Sequence, residues 1–272
     1  NFYMDGFHLR KGPDAALARA IYFDHLHFVS REQADFPTTL FEGFENYPDF
    51  TTQLFPFITV DVKGDITWNP AGFTFPGSGQ AYAFRVMNPS GTTPPVQGDH
   101  PAFEGEKYLI AMQSQTIDDD KWLITPQIKI TELSNFSFYA RSISDAWGLE
   151  RFQVMIAEDD ATVFSFDPQA FTKISEGAYT EAPLAWTPFS YFLGDYAGQV
   201  VRLAIRYVSH DAYMFMLDAL EVYASNAVIV SVLPVPDKQV DFGTALPEAI
   251  AVLNQSTSIT DSYGRSHTVA LN

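Results

Sequence analysis

Short segments in which apolar and polar residues alternate recur along the middle of the chain, and a period of two is typical of half-buried β-strands. Between residues 31 and 225 this pattern predicts strands at residues 66–68, 82–86, 108–112, 122–124, 136–140, 152–157, 199–207 and 213–223. Turn-forming residues such as Pro76-Gly77-Ser78-Gly79 separate the segments, and no long helical period lies between them. The sequence therefore predicts an all-β fold, built as an antiparallel β-sandwich.

Two shorter stretches flank this main body. Residues 1–30 contain two alternating segments, which are predicted either to end a preceding β domain or to add strands to the main one. Residues 226–272 contain fewer aromatic residues, with predicted strands at residues 228–235 and 269–271. That stretch is shorter than the roughly 100 residues of an immunoglobulin-type sandwich, so we expect only part of such a domain. The abrupt start at Asn1 indicates a fragment of a longer protein, so the missing signal peptide carries no information.

The composition indicates a folded, acidic protein. Of the 272 residues, 46% are hydrophobic and 15% are aromatic, which is enough to bury a core and excludes intrinsic disorder. The formal net charge of −17 argues against nucleic acid and anionic membranes as partners, because both attract basic surfaces. No apolar run approaches the roughly 20 residues that span a bilayer, so membrane insertion is not expected. The absence of cysteine excludes disulfides and thiolate chemistry.

Six sequence motifs occur in a fixed order along the main body. They are Phe44-Glu45-Asn46-Tyr47-Pro48 and residues 59–68, 119–126, 148–154, 196–206 and 216–222. This ordered set, which covers most of residues 40–224, resembles the cleaved-adhesin or choice-of-anchor J domains, jelly-roll modules of gingipain adhesin regions that are related to MAM domains. The chain departs from the family pattern at a doubled Phe-Glu in residues 41–45 and at Ala219, where an acidic residue is common. The tail resembles bacterial Ig-like repeats, chiefly through residues 241–247.

The resemblance implies a jelly-roll topology and a calcium site. In the related jelly rolls the site joins the opening strand, a nearby Asp-rich loop and the closing strand. Carried over to this chain, it implies Glu45, Asp65 and Asp218 as calcium ligands, with Glu42 and Asp61 as alternates. Carboxylate oxygens are the ligands that calcium prefers, and two or three of them in a site are usual.

Asp218 stands out even without the resemblance, because apolar residues flank it on both sides in the predicted closing strand. A buried carboxylate needs a cation, a paired base or several hydrogen-bond donors. A calcium ion would meet this need, and Arg202 or Arg206 on the preceding predicted strand is the alternative.

Other acidic residues are interpreted more simply. Glu150, which precedes a predicted strand, is interpreted as a solvated turn carboxylate, with a second ion as the alternative. The acidic runs at residues 118–120 and 158–160 lack the alternating ligands and central glycine of an EF-hand loop, so they are predicted to be solvated. His25 and His27 share one face of a predicted strand but have no third zinc ligand nearby in the sequence.

The tryptophans give the candidate ligand contact. Trp68 and Trp122 lie in segments that match family strands and are predicted to be core residues. Trp147 lies in the loop of residues 144–148 and is the predicted ligand-binding residue, since exposed aromatic faces stack on sugars. No nucleophile elbow, phosphate-binding loop or dinucleotide fingerprint occurs, so an enzyme is not predicted.

These observations predict a non-catalytic, calcium-stabilised adhesion module that binds carbohydrate or protein and belongs to a large secreted or cell-surface bacterial protein. Its expected partners are glycans or extracellular host proteins, and self-association through the flanking segments is also considered. Two alternatives stay open. The chain could be an accessory domain of a secreted peptidase or glycosidase, or an architectural subunit of a stalk or filament.

Overall fold

The structure is a computed structural model, and it describes residues 36–116, 118–159, 164–224, 229–233, 255–261 and 266–271. The predicted segments within residues 1–30 therefore lie outside the described residues. The described residues form β-strands and short 3-10 turns and contain no α-helix. None of them belongs to a helix with the length and apolar character needed to cross a membrane.

Two antiparallel sheets make up the main body. The first contains β1 (Leu40–Glu42), β3 (Arg85–Met87), β4 (Tyr108–Met112), β7 (Ser134–Ser142), β11 (Thr187–Phe192) and β13 (Met214–Ala224). Its order is β11-β7-β13-β4-β3, and β1 also pairs with β13. The second contains β2 (Ile58–Asp61), β5 (Lys121–Ile124), β6 (Ile128–Lys129), β8 (Arg151–Glu158), β9 (Thr172–Lys173), β10 (Thr180–Glu181) and β12 (Val200–Tyr207). Its order is β10-β8-β12-β5-β2, with β6 on β12 and β9 on β8. The predicted all-β sandwich is confirmed.

Among the described residues, three 3-10 turns join strands in the loops. They are Pro89–Gly91, Pro168–Ala170 and Gly194–Tyr196. The first two begin with a proline, and in each case the preceding Asn88 or Asp167 side chain accepts a backbone hydrogen bond that caps the turn. A cap of this kind satisfies a backbone N–H that the turn itself leaves free.

The main core lies where the inner faces of the two sheets meet. Alternate residues of each strand point into it, including Phe138 on β7, Phe152 on β8, Ile205 on β12 and Leu217 on β13, and all four are buried. Trp122 lies on the outer face of the second sheet, where Phe166 and Phe171 of a loop cover it. Its predicted place in the core is confirmed.

Loops also bury the outer face of the first sheet. Tyr108, Ile110 and Met112 of β4 point away from the main core and pack against Phe50 and Phe75 of the loops. All five residues of β4 are therefore buried, although successive side chains of a strand point to opposite faces of the sheet. The edge strand β11, by contrast, alternates half-buried and exposed residues.

The strand predictions are accurate in the centre of the sandwich and fail at its edges. The predicted strand at residues 108–112 is β4, and those at residues 122–124, 136–140, 152–157, 199–207 and 213–223 correspond to β5, β7, β8, β12 and β13. The predicted strand at residues 66–68 is wrong, since only isolated bridges pair Ile66 with Ala81 and Thr67 with Ser114. The predicted strand at residues 82–86 is replaced by the shorter β3, and the edge strand β11 was not predicted.

The tail contributes a separate three-stranded antiparallel sheet. Its strands are β14 (Ile229–Val232), β15 (Gln255–Asp261) and β16 (Ser266–Leu271), in that order. The two strands predicted in the tail correspond to β14 and β16, and β15 was not predicted.

Candidate functional site

An aromatic cavity of about 330 Å³ opens among three loops. The first loop follows Thr67, the second joins β7 to β8, and the third joins β12 to β13. The residues that line it are Trp68, Asn69, Ala71, Trp147, Asp211, Ala212 and Tyr213. A volume of this size is at the lower end of the range for small-ligand sites, which is about 300 to 1,000 Å³.

Two half-exposed tryptophans form the rims of the aromatic cavity. The exposed fraction is 59% for Trp147 and 51% for Trp68. The predicted exposure of Trp147 is confirmed, whereas the predicted core position of Trp68 is wrong. The reason is the alternation of the chain at the isolated bridge, which buries Thr67 completely and turns its neighbour Trp68 outward.

Tyr213 joins the three loops at the floor of the cavity. Its ring lies 5.6 Å from the ring of Trp147 between centroids, at an interplanar angle of 52°. Its hydroxyl accepts a hydrogen bond from the backbone N–H of Ala71. Partial burial raises the pKa of the Tyr213 hydroxyl above its ordinary value of 10.0. The neutral hydroxyl therefore joins the Ala71 loop to the loop that carries Tyr213, while the ring of Tyr213 contacts Trp147.

Glu150 lies buried directly behind this floor, where it connects two of the loops. Its carboxylate accepts hydrogen bonds from the hydroxyls of Tyr207 and Ser209, both at 2.7 Å, and from the backbone N–H of Tyr213 at 2.6 Å. Its own backbone N–H donates to the hydroxyl of Ser142, at the end of β7. The interpretation of Glu150 as a solvated turn carboxylate is wrong, because the residue is 0% exposed.

Burial raises the pKa of Glu150 to about 7, against the opposing effect of its hydrogen bonds from Ser209, Tyr207 and Tyr213. Each donor is neutral, and none of the ion pairs among the described residues includes Glu150. Three donors satisfy a buried carboxylate without a metal. Glu150 therefore links the loop between β7 and β8 to the loop between β12 and β13, and its three hydrogen bonds account for its burial without an ion.

The acidic run at residues 118–120 is divided among three environments. Asp118 is exposed and pairs with His210, as expected for a solvated loop. Asp119 is buried and forms an ion pair with the fully buried Lys121, with 3.0 Å between Oδ1 and Nζ. Asp120 forms a bidentate pair with Arg206. The prediction that the whole run is solvated is thus wrong for two of its three residues.

The predicted metal ligand Asp218 is fully buried, as predicted. Its Oδ2 accepts hydrogen bonds from the backbone N–H groups of Phe103 and Glu104, and its Oδ1 accepts one from Ala219. Burial, with a smaller contribution from the neighbouring Glu104 carboxylate, raises the pKa of Asp218 to about 7. The arginines proposed as alternative partners are engaged elsewhere, Arg202 with Asp159 and Arg206 with Asp120.

Three glutamates surround the loop that binds Asp218. The Glu42 carboxylate accepts a hydrogen bond from the backbone of Phe44, and burial raises its pKa. The Glu45 carboxylate accepts backbone hydrogen bonds from residues 106 and 107, and Glu104 approaches the backbone at Gly43. We call Glu42, Glu45, Glu104 and Asp218 the acidic cluster. The three glutamates line a second cavity of about 330 Å³.

Glu104 was not among the predicted ligands, although the sequence contained a signal for it. The tripeptide Phe-Glu-Gly occurs at residues 41–43 and again at residues 103–105. The fold brings the two copies together, and their glycines leave room for the glutamates. A Cβ atom on Gly43 would lie 3.2 Å from the Glu104 carboxylate, and one on Gly105 would lie 2.3 Å from that of Glu45.

Asp61 and Asp65, the other two predicted ligands, belong to a different part of the fold. Asp61 ends β2 of the second sheet and accepts a hydrogen bond from the backbone of Gly64. Asp65 accepts one from the hydroxyl of Thr116. Across the described ranges of the chain, no three His, Asp or Glu side chains are gathered as a ready-made metal site. The structure thus brings Glu42, Glu45 and Asp218 around one loop and leaves Asp61 and Asp65 apart.

Comparison with known proteins finds similarity to solved structures only, at low identity. No family model and no curated protein matches the sequence. Among solved structures, a cleaved adhesin domain of Lys-gingipain is 16% identical, with 68% of this chain and 99% of that chain covered and a TM-score of 0.46. Another from Porphyromonas gingivalis is 18% identical, with 70% and 99% covered and a TM-score of 0.45. The carbohydrate-binding module TmCBM61, solved with β-1,4-galactotriose, is 7% identical, with 63% and 90% covered and a TM-score of 0.40.

The cleaved adhesin domains that the sequence phrases resemble are therefore among the solved structures that this chain matches. Identities of 18% or less and TM-scores below 0.5 are too low to transfer a ligand or a partner to this chain.

Proposed function

We propose that this chain is a non-catalytic carbohydrate-binding module of a secreted or cell-surface protein, and that the aromatic cavity holds the glycan. The observation that carries the proposal is the pair of half-exposed tryptophans, Trp68 and Trp147, on opposite loops of one cavity. Aromatic side chains of this size are usually withdrawn from water unless a partner covers them. Sugar rings present apolar C–H faces that stack on aromatic rings, and hydroxyl groups that polar side chains bind.

The lining of the cavity supports binding over catalysis. Hydrolysis of a glycosidic bond requires two carboxyl groups on either side of the bond, about 5 to 9.5 Å apart. Asp211 is the one carboxylate among the residues that line the aromatic cavity. Glu150 lies behind the floor, where it is fully buried and engaged by three donors. The described residues therefore offer the aromatic cavity one accessible carboxylate, which suits recognition of a hydroxyl group.

Binding to a panel of soluble polysaccharides, measured by affinity electrophoresis and calorimetry, tests this proposal. Trp147→Ala and Trp68→Ala should each weaken binding to the preferred glycan by about tenfold or more, equivalent to about 1.4 kcal/mol. Phe192→Ala is the matched control. Phe192 is 53% exposed and pairs with Asn135 at the start of β7, whereas Trp147 follows the end of that strand.

Wild-type affinity in both tryptophan variants would contradict the proposal. So would a protein that binds no member of the panel. A comparable loss in Phe192→Ala would move the binding surface to the opposite end of the first sheet.

We further propose that calcium binds at the acidic cluster and stabilises the fold. Asp218 and the three glutamates supply oxygen ligands, which calcium prefers. Burial raises the pKa of Asp218 and of Glu42, so the ionised form of each is costly. None of the ion pairs among the described residues includes either of them, so no side-chain cation offsets that cost. A cation there would join the loop after β1 to β13. Chelation with EDTA should then lower the melting temperature, and a melting curve that EDTA leaves unchanged would exclude this part of the proposal.

A further inference from the structure

The charge of the aromatic cavity limits which glycans it can accept. Asp211 is the one charged residue among those that line it, and no lysine, arginine or histidine takes part in the lining. Asp211 is exposed, and within the described part of the chain no hydrogen bond or ion pair engages its carboxylate. The cavity therefore presents an uncompensated negative charge between two aromatic surfaces.

The backbone at Asp211 holds this carboxylate in the third loop. Its φ of 48° lies in the left-handed region. Aspartate and asparagine tolerate that region better than other residues with side chains. An Asp211→Asn variant should therefore keep the loop conformation while removing the charge. The position thus permits a clean test of the charge alone.

Asn69 supplies the second polar group of the cavity. It is exposed, and within the described residues its amide has no hydrogen-bond partner. Gly79 allows the amide to lie where it does, because a Cβ atom at that position would come within 2.8 Å of the Asn69 Oδ1. The amide group offers both donors and an acceptor, whereas an ionised carboxylate accepts hydrogen bonds only. Together the two side chains suit a ligand that presents hydroxyl groups.

An anionic sugar would meet a different environment. A uronate or sulfate group bound near Asp211 would place two negative charges together, with no lining cation to neutralise them. Two like charges in contact repel, and they repel more strongly at the lower dielectric of a protein surface than in water. The net charge of −17 adds a long-range repulsion that salt can screen.

We infer that the aromatic cavity selects neutral, hydroxyl-bearing glycans and rejects glycans that carry carboxylate or sulfate groups, with Asp211 as the residue that sets this specificity. The inference rests on the proposed function, since it assigns the ligand class of the same cavity.

The experiment compares neutral, anionic and cationic polysaccharides by affinity electrophoresis. The neutral probes are a glucan, a xylan and a galactan, the anionic probes are polygalacturonate and dextran sulfate, and the cationic probe is chitosan. We expect retardation by at least one neutral probe and none by the anionic probes, at both 20 mM and about 1 M salt. At 1 M salt the Debye length is about 3 Å, so rejection that persists there comes from the cavity and not from the net charge of the protein.

Asp211→Asn should weaken binding to the preferred neutral glycan by about tenfold, because an ionised acceptor of sugar hydroxyls is lost. Asp195→Asn is the matched control. Asp195 is also exposed and precedes β12, whereas Asp211 follows that strand, so the two lie at opposite ends of it.

The outcomes separate this inference from the proposed function. Binding of polygalacturonate that Trp147→Ala abolishes would overturn the inference and support the function. Retention by chitosan alone would replace the neutral class with a cationic one. Unchanged neutral-glycan affinity in Asp211→Asn would overturn the role of Asp211. A protein that binds no probe would overturn the proposed function, and the inference with it.

Discussion

Glu150 and Asp218 are two fully buried carboxylates that have different neighbours. Both are 0% exposed, and burial raises the pKa of each to about 7. Glu150 accepts hydrogen bonds from three neutral donors, two of them hydroxyl groups, and the Asp119 carboxylate makes a small contribution to its raised pKa. Asp218 is held by three backbone N–H groups and lies beside further carboxylates, of which Glu104 raises its pKa. Each carboxylate is therefore held by three donors of the chain, but Asp218, unlike Glu150, lies beside the cavity that the three glutamates of the acidic cluster line.

The difference indicates two tasks for a buried acid. At Glu150 the carboxylate organises loops that meet above it, and its own chain supplies everything it needs. At Asp218 burial, with a smaller contribution from Glu104, makes the ionised state costly, and the proposed calcium ion would offset that cost. The following predictions test this contrast, from the largest expected effect to the smallest.

Removal of the Glu150 carboxylate should have the largest effect. Glu150→Ala leaves the buried hydroxyls of Tyr207 and Ser209 and the N–H of Tyr213 without their acceptor. At about 1 to 3 kcal/mol for each unsatisfied buried group, we expect the free energy of unfolding to fall by about 3 kcal/mol or more. Urea denaturation measures the loss. A destabilisation below about 1 kcal/mol would show that Glu150 does not hold these loops together.

Calcium should distinguish the two acids. A ligand present at a concentration 100 times its dissociation constant stabilises the native state by about 2.7 kcal/mol. We expect calcium to raise the melting temperature of the wild-type protein and of Glu150→Gln, but not of Asp218→Asn. Thermal melts with EDTA and with calcium measure the response. An equal calcium response in Asp218→Asn and the wild type would place the ion elsewhere.

The pH dependence of stability follows from the raised pKa values. Both groups have folded-state pKa values of about 7, above the ordinary values of 4.5 for Glu150 and 3.8 for Asp218. The stability that each contributes is fully present below its unfolded pKa and is lost as the pH rises through about 7. In EDTA, the free energy of unfolding should therefore fall between pH 5 and pH 8.

Glu150→Gln and Asp218→Asn should each flatten this fall, because each variant removes one titrating group. Calcium should reduce only the part of this fall in stability that Asp218 causes, since calcium stabilises the ionised form of that carboxylate. Denaturation at a series of pH values in EDTA and in calcium gives both slopes. A metal-free stability that rises from pH 5 to pH 8 would contradict the shared behaviour of the two acids.

The smallest effect concerns the backbone beside Asp218. Ala219 has a φ of 47° and lies at the register shift of β13, between Asp218 and Glu221. Glycine adopts this conformation without the cost that a Cβ atom adds, so Ala219→Gly should raise the free energy of unfolding by up to about 1 kcal/mol. Ala204→Gly, in the middle of β12, should instead lower it by a similar amount. Destabilisation in both variants would show that this bulge carries no conformational strain.

Local pattern predicted the strands that are paired on both sides and failed where pairing is marginal. β4, β7 and β13 are long or fully buried, so their apolar residues leave a clear signal. The segment around Thr67 makes isolated bridges only, so Trp68 leaves the sheet and reaches the surface. A segment with β-propensity becomes a strand only if a partner edge is available, and sequence alone does not specify that edge.

Much of the candidate site was also within reach of the sequence. The burial of Asp218 followed from its apolar neighbours, and the exposure of Trp147 followed from its position in a turn-rich loop. The role of Glu150 did not follow, because the three donors to its carboxylate come from a chain segment about 60 residues away. The Phe-Glu-Gly tripeptide is repeated in the sequence, but only the tertiary structure shows that the two copies lie together and form part of the acidic cluster.

The sequence by itself determined the all-β class, the central strands, the acidic character and the burial of Asp218, because these depend on alternation, composition and immediate neighbours. The tertiary structure alone decided which loops meet. It brought Phe103 to Asp218 across 115 residues and Tyr213 to Glu150 across 63 residues. The physical reason is that contacts at such separations form when whole sheets pack face to face, and the short-range pattern of one strand does not specify which distant loop will lie against it.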